Sequence, residues 1–287
     1  MKILVTGADG QLGHDIIHHL EKRNIECCGV DIADFDLTDA PAVLSWVKDY
    51  RPSRVIHCAA YTAVDKAEEQ KELCTAVNVT GTQNIAAACK EIGAPMMYIS
   101  TDYVFDGITK NTPWETDDPK APINHYGQTK YEGELAVQNT LSDYFIVRIC
   151  WVFGKNGHNF VKTMLRLAQT KNEVSVVDDQ FGAPTYTYDA AKLMCDMIVT
   201  DRFGVYHACN ETYISWHEFA CEIFRQAGIS MQVNALTSEQ YPSKAKRPKN
   251  SRLSKKSLDE AGFARLPDYK NALSRYLAEM DMGEKQR

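Results

Sequence analysis

Residues 2 to 13 read Lys2-Ile3-Leu4-Val5-Thr6-Gly7-Ala8-Asp9-Gly10-Gln11-Leu12-Gly13. The first part is short and continuously apolar, as expected of a parallel strand covered on both faces. Leu12, Ile16 and Leu20 then recur at helical spacing. Three glycines separate strand from helix, at 7, 10 and 13, in the pattern G-x-x-G-x-x-G. Glycine allows a tight turn and lets the backbone approach a pyrophosphate, which a helix N-terminus attracts. A plain glycine turn is the alternative. The order strand, loop, helix favours a dinucleotide site at Gly7, Gly10 and Gly13.

The alternation continues outward. A second strand, Glu26 to Val30, ends at Asp31, 18 residues after Gly13. A carboxylate there suits the adenosine ribose hydroxyls and repels a 2′-phosphate. No Arg follows within residues 32 to 37, so Asp31 favours NADH over NADPH. Asp36 and Leu37 lie where the adenine ring would pass, and a solvated loop explains that pair equally well. A third strand, Arg54 to Cys58, leads into Ala59-Ala60-Tyr61-Thr62, and small residues at a strand's carboxyl end leave room for a cofactor. Further strands are expected at Met96 to Ile99 and Phe145 to Cys150. This repetition predicts an α/β fold with a doubly wound parallel sheet of the Rossmann kind.

Beyond residue 151 the pattern loosens. Helices are expected from Asn159 to Thr170 and from Tyr188 to Val199, a strand at Val174 to Val177, and a turn at Gly182 to Thr185. Ser215-Trp216-His217-Glu218 is a capping box opening a helix that Gly228 closes. We divide the chain accordingly. Residues 1–150 plus about 185–204 form the dinucleotide-binding domain. About 151–184 and 205–287 form a smaller C-terminal α/β substrate domain.

Tyr126-Gly127-Gln128-Thr129-Lys130 supplies the chemistry. Residues four apart share a helix face. An ammonium about 5 Å from a phenol would favour the phenolate by roughly 3 kcal/mol at an effective dielectric of about 20. That brings a group with a pKa near 10 toward the working range of an acid–base catalyst. Alone, this spacing occurs by chance in many helices. A basic cluster from Lys244 to Lys256, with Arg247 and Arg252, is either a solvated loop or a grip on a diphosphate.

The 287 residues carry a net charge of −6, which gives no general attraction to nucleic acid or anionic lipid. Nine scattered cysteines without a C-x-x-C pair point to reduced thiols in the cytoplasm rather than a zinc site or disulfide framework. No stretch approaches a signal peptide or a membrane span.

With these residues in view, the chain resembles the extended short-chain dehydrogenase/reductases and, within them, the dTDP-4-dehydrorhamnose reductase family. The resemblance rests on Gly7 to Gly13, Thr101-Asp102-Tyr103-Val104-Phe105-Asp106-Gly107, Tyr126 to Lys130, Arg148 to Gly154, Gly182 to Thr185 and Arg247 to Leu253. It implies that Tyr126 donates the proton, that Lys130 lowers its pKa and binds the nicotinamide ribose, and that Thr101 orients the substrate. It places Gly10, Gln11, Leu12, Asp31, Asp36, Leu37, Ala60, Tyr61 and Thr62 along the dinucleotide, NADH or NADPH. It sets Thr101, Asp102 and Trp151 against a dTDP-linked keto sugar, with Arg247, Asn250 and Arg252 on the same side. Dehydratases of this kind carry an acid after the Thr-Asp pair, where this chain has Tyr103. The resemblance also leaves open a homodimer and Mg²⁺ near Asp15 and Asp189, although we assign no metal ligand. Rival readings are another sugar-nucleotide reductase or epimerase, and a non-catalytic NAD(P)-binding regulatory subunit.

Overall fold

The computed structural model describes residues 1–284. Its centre is built from strands β1 (Lys2–Thr6), β2 (Glu26–Val30), β3 (Arg54–His57), β4 (Met96–Thr101) and β5 (Tyr144–Ile149). Helices α1 (Gln11–Lys22), α2 (Ala40–Tyr50), the short α3 (Val64–Ala67) and α4 (Lys71–Thr75), α5 (Thr82–Ile92) and α6 (His125–Thr140) intervene. The second half contributes β6 (Val152–Phe153), α7 (Phe160–Ala168), β7 (Glu173–Val177), β8 (Phe181–Gly182), β9 (Thr185–Tyr186), α8 (Thr187–Ile198) and β10 (Gly204–His207). β11 (Ile214–Ser215), α9 (Trp216–Gln226), β12 (Gln232–Leu236), α10 (Lys256–Glu260) and α11 (Tyr269–Glu284) complete it.

Six strands form one sheet in the order β10-β5-β4-β3-β1-β2, and every pair is parallel. The chain turns back beside β1, which has β2 on one side and β3 on the other. In open α/β sheets the crevice beyond such a reversal is the ligand site. The sheet is apolar on both faces, as its continuous Val and Ile runs predict. On one face Ile3, Val5, Met97 and Val147 pack with Leu12 and Ile16 of α1 and Met194 of α8. On the other, Leu4, Val55, Met96 and Ile146 meet Val43 and Val47 of α2 and Ile85 of α5.

β10 is a sixth strand that the sequence reading missed. It pairs with β5 from Gly204 opposite Phe145 to His207 opposite Arg148. The four residues Gly204-Val205-Tyr206-His207 are too few and too mixed to show a period of two. The expected turn at Gly182 to Thr185 instead holds the ends of two short strands, β8 against β11 and β9 against β6. The capping box on α9 forms as expected. A separate core joins Val161, Met164, Val174, Phe219, Ile223 and Tyr276, so α7, α9 and α11 have an interior of their own. Among the described residues no helix is long and apolar enough to cross a membrane.

Candidate active site

A cavity of about 860 Å³ opens at the carboxyl ends of the strands, over the reversal beside β1. Its floor is the glycine loop. Gly7 has φ of 69°, and a Cβ there would stand 2.6 Å from the Ala59 nitrogen; only glycine lets β1 and β3 close together here. No side chain caps the start of α1 and its first turn carries no acid. Amides left unpaired at a helix N-terminus are an anion site. This cradle, with a carboxylate at the far rim, fits a dinucleotide.

Gly7, Gly10, Gln11, Leu12, Gly13, Asp31, Asp36, Leu37, Ala59, Ala60 and Thr62 all line this cavity. Tyr61 does not. Its hydroxyl donates to Gln70 at 2.7 Å, and its backbone is held from both sides by Asn78. Asn78 is a contributor that the sequence reading passed over. It sits in a π-helical turn, Ala76–Gly81, between α4 and α5, and its Nδ2 also donates to Thr129 of α6 at 3.0 Å. One buried amide thus ties the loop after β3 to the helix bearing Tyr126. A lone Asn within an alanine-rich helical stretch gives no hint of this.

Asp31 is anchored by backbone amides, accepting from Asp9 at 3.0 Å and Ile32 at 2.9 Å. Lys2 pairs with Glu26 and Arg54 with Asp201, and neither lines the cavity. Lys130 is the one Lys or Arg among the described lining residues.

At the other end, Thr101, Asp102, Tyr126, Lys130 and Trp151 share the wall. β4 ends in Thr101, β5 runs up to Trp151, and α6 supplies Tyr126 and Lys130. Asn124 caps α6 by accepting from Gly127 at 2.8 Å, which sets the register of that first turn. Tyr103 packs edge-on against Tyr126, with ring centroids 5.7 Å apart.

The electrostatics depart from expectation. Burial pushes the Tyr126 phenol above its ordinary value; the Thr101 hydroxyl opposes this and the Asp102 carboxylate adds to it. Burial also pulls Lys130 down to about 7, with Glu134 working to keep it charged. The Lys130 ammonium lies over the Tyr98 ring, 4.1 Å from its centroid. In the protein by itself, then, Lys130 does not bring the phenol into the neutral range. The one-turn Coulomb argument left out desolvation, which at this buried phenol outweighs it. With its pKa raised, Tyr126 keeps its proton in the free protein and can give it only to a stronger base, such as an alkoxide forming on a substrate.

Asp102 is also buried. Its Oδ1 accepts from Thr101 at 3.0 Å, whereas its Oδ2 has no hydrogen-bond partner. Burial raises this acid to about 7, while the neighbouring Ser251 and Thr101 hydroxyls pull it back.

A second cavity, of about 1030 Å³, lies among α7, β7 and α9 and is bordered by Arg247. Arg247 pairs with Asp65 at 2.7 Å and donates to the Tyr103 hydroxyl at 3.2 Å. Asn250 and Arg252 line neither cavity. Asn250 donates to the carbonyls of Lys110 and Thr112 and accepts from Arg252, which reaches Asn111. These two brace the loop before Trp114. Lys244, Lys249 and Lys256 are each paired with acids. Of the basic cluster, Arg247 alone is placed to meet a ligand in either cavity.

Asp15 and Asp189 do not fit a metal. Asp189 takes two bonds from Arg275, at 2.8 and 2.6 Å, and one from Asn210. Asp15 accepts from Thr187, and burial raises its pKa. Among the described residues no group of three or more His, Cys, Asp or Glu could hold an ion. All nine cysteines are unpaired.

A glycine-floored dinucleotide crevice that ends in Thr, Tyr and Lys defines the extended short-chain dehydrogenase/reductase class. Residues 1–282 match the family model described as RmlD substrate binding domain. The chain belongs to the dTDP-4-dehydrorhamnose reductase family. It is 42% identical to a dTDP-4-dehydrorhamnose reductase from Clostridium acetobutylicum, with a TM-score of 0.95 over 98% of this chain and all (100%) of that one. The Bacillus anthracis enzyme, crystallised with NADP, is 40% identical, with a TM-score of 0.94 over 97% and 99% of the two chains. Spore coat polysaccharide biosynthesis protein SpsK of Bacillus subtilis strain 168 is 39% identical over 97% of each chain.

Proposed function

We infer that this chain reduces the C4 carbonyl of dTDP-6-deoxy-L-lyxo-4-hexulose to give dTDP-L-rhamnose, with NADH or NADPH as reductant. The observation that carries this reading is that Thr101, Tyr126 and Lys130 line the same cavity as the glycine loop. Gly7, Gly10, Gly13 and the start of α1 would hold the pyrophosphate, and Asp31 the adenosine ribose. The bound nicotinamide would supply the hydride.

The residues of the chain do the rest. The Tyr126 hydroxyl presents a donor to the carbonyl oxygen, and the Thr101 hydroxyl, which gives its proton to Asp102 Oδ1 in the free protein, turns to the same oxygen, so that both stabilise the developing charge. As negative charge grows on that oxygen, Tyr126 Oη gives up its proton. Lys130, one turn along α6, holds the ribose hydroxyls. Asp102 Oδ2, buried and unpartnered, takes a sugar hydroxyl. Trp151 backs the sugar, and Arg247 meets the nucleotide end in the second cavity. Tyr103 bonded to Arg247 leaves no carboxylate where a dehydratase acid would act.

Residues 1–150 with about 185–204, extended to His207 by β10 in the central sheet, would then serve the cofactor, and the remainder the sugar nucleotide. A homodimer in the cytoplasm accompanies this reading. A screen of dTDP-, UDP- and GDP-linked 4-keto sugars with NADH and NADPH tests it. Oxidation of the nicotinamide with the dTDP sugar is expected. An epimerase would instead retain NAD⁺ and consume no added reductant, and a regulatory subunit would turn over none of the sugars.

A further inference from the structure

Trp151 and Trp216 lie face to face, with ring centroids 3.7 Å apart and planes 14° from parallel. The two indoles are held very differently. Trp151 has φ of 50°, a left-handed conformation that a bulky residue adopts only when its surroundings impose it. Its ring lies over Gly182, where a Cβ would stand 2.6 Å from the indole. Its carbonyl accepts from the Thr185 amide at 3.0 Å. Trp151 is therefore a fixed wall. Trp216 is the first residue of α9. Like Trp151 it is half-buried, and it also packs against Phe160, at 4.6 Å between centroids.

Trp216 is also the one described residue that borders both cavities. A sugar nucleotide with its keto carbon at Tyr126 and its nucleotide in the second cavity passes along this indole. Parallel rings at this separation are already in van der Waals contact, so nothing enters between them. While the stack persists, the inner face of Trp151 is closed to the sugar. A flat aromatic face is a good seat for the apolar C–H face of a pyranose, since it buries carbon without leaving a hydroxyl unpaired.

We propose that Trp216 is a positioning residue for the sugar: it partitions the two cavities, and it leaves its stack on Trp151 when a sugar nucleotide binds, so that the sugar ring packs against an indole face in its place. The inference rests on the reductase reading above.

Stacked indoles couple their electronic transitions and give a paired positive and negative band in far-ultraviolet circular dichroism. Of the four tryptophans, 151 and 216 are the pair whose rings stack on each other. The free protein should show this couplet and Trp216→Phe should lack it. Saturating dTDP-glucose, a dTDP-hexose without a 4-keto group, should collapse it, and NADPH should not. Trp216→Ala should raise KM for the keto sugar nucleotide about tenfold or more, and leave KM for NADPH within about twofold. Trp216→Phe, which keeps the packing on Phe160 and Phe219, should show a smaller rise in the same KM alone.

A couplet that persists in saturating dTDP-glucose overturns the proposal. So does a Trp216→Phe variant that stays folded and loses affinity for both ligands equally. If the wild type reduces no keto sugar, the reductase reading falls, whereas the response of the couplet to dTDP-glucose still decides whether the stack opens.

Discussion

Arg148 on β5 grips Glu134 on α6 through two hydrogen bonds of 2.8 and 2.7 Å, with both side chains about 1% exposed. Ser100 of β4 donates to the same carboxylate. This pair bolts the helix carrying Tyr126 and Lys130 onto β4, which ends in Thr101, and β5, which ends two residues before Trp151. It also puts a carboxylate one turn behind Lys130.

Breaking the pair from one side strands a buried charge. Arg148→Met should destabilise the protein by roughly 3–5 kcal/mol, whereas Glu134→Met with Arg148→Met should recover much of that. Urea unfolding of both variants measures the difference. Equal losses in the single and double variants would mean that packing, not pairing, carries the effect.

Tyr126→Phe removes the proton and leaves the ring. Turnover should drop by about 10²-fold or more, with cofactor affinity nearly unchanged. Burial holds the phenol high, so in the reducing direction the activity attributable to Tyr126 should not fall across the neutral range. Near-normal turnover of the Phe variant rules out the assignment.

Asp102 should make stability depend on pH. Its folded value, about 7, lies above its ordinary one. Between about 4 and 7 the folded state therefore binds more protons than the unfolded state, and stability falls as pH rises. Asp102→Asn does not titrate there. In cofactor-free protein the variant should gain on the wild type through this window, by roughly 4 kcal/mol at most, and hold the gain above pH 7. Thermal unfolding at pH 4.5 and 7.5 reads it out; a gain that shrinks toward high pH would contradict the buried neutral acid.

Asp31 should set the cofactor. No lining cation stands near enough to neutralise a 2′-phosphate, and two like charges about 5 Å apart at an effective dielectric of about 40 repel by roughly 1.7 kcal/mol. NADH should be accepted at least as well as NADPH, and Asp31→Ala should shift kcat/KM toward NADPH by about tenfold. A wild type with a clear preference for NADPH would show that Asp31 turns away from the ribose.

The sequence by itself determined the fold class, because the signals for it are local. The apolar run ending at Thr6, the glycines at 7, 10 and 13 and the helical spacing of Leu12, Ile16 and Leu20 each act within a few residues. The Tyr126–Lys130 pair and Asp31 were legible for the same reason. What tertiary structure alone decided is everything that depends on residues far apart in the chain. Asn78 joins Tyr61 to Thr129, Arg148 reaches Glu134, β10 finds β5, and Trp216 meets Trp151. Asn250 and Arg252 read as ligand contacts in the sequence, yet folding spends their polar groups on a loop more than a hundred residues away. The values of Tyr126, Lys130 and Asp102 belong here too: desolvation is a property of everything packed around a group, and no spacing along a helix can state it.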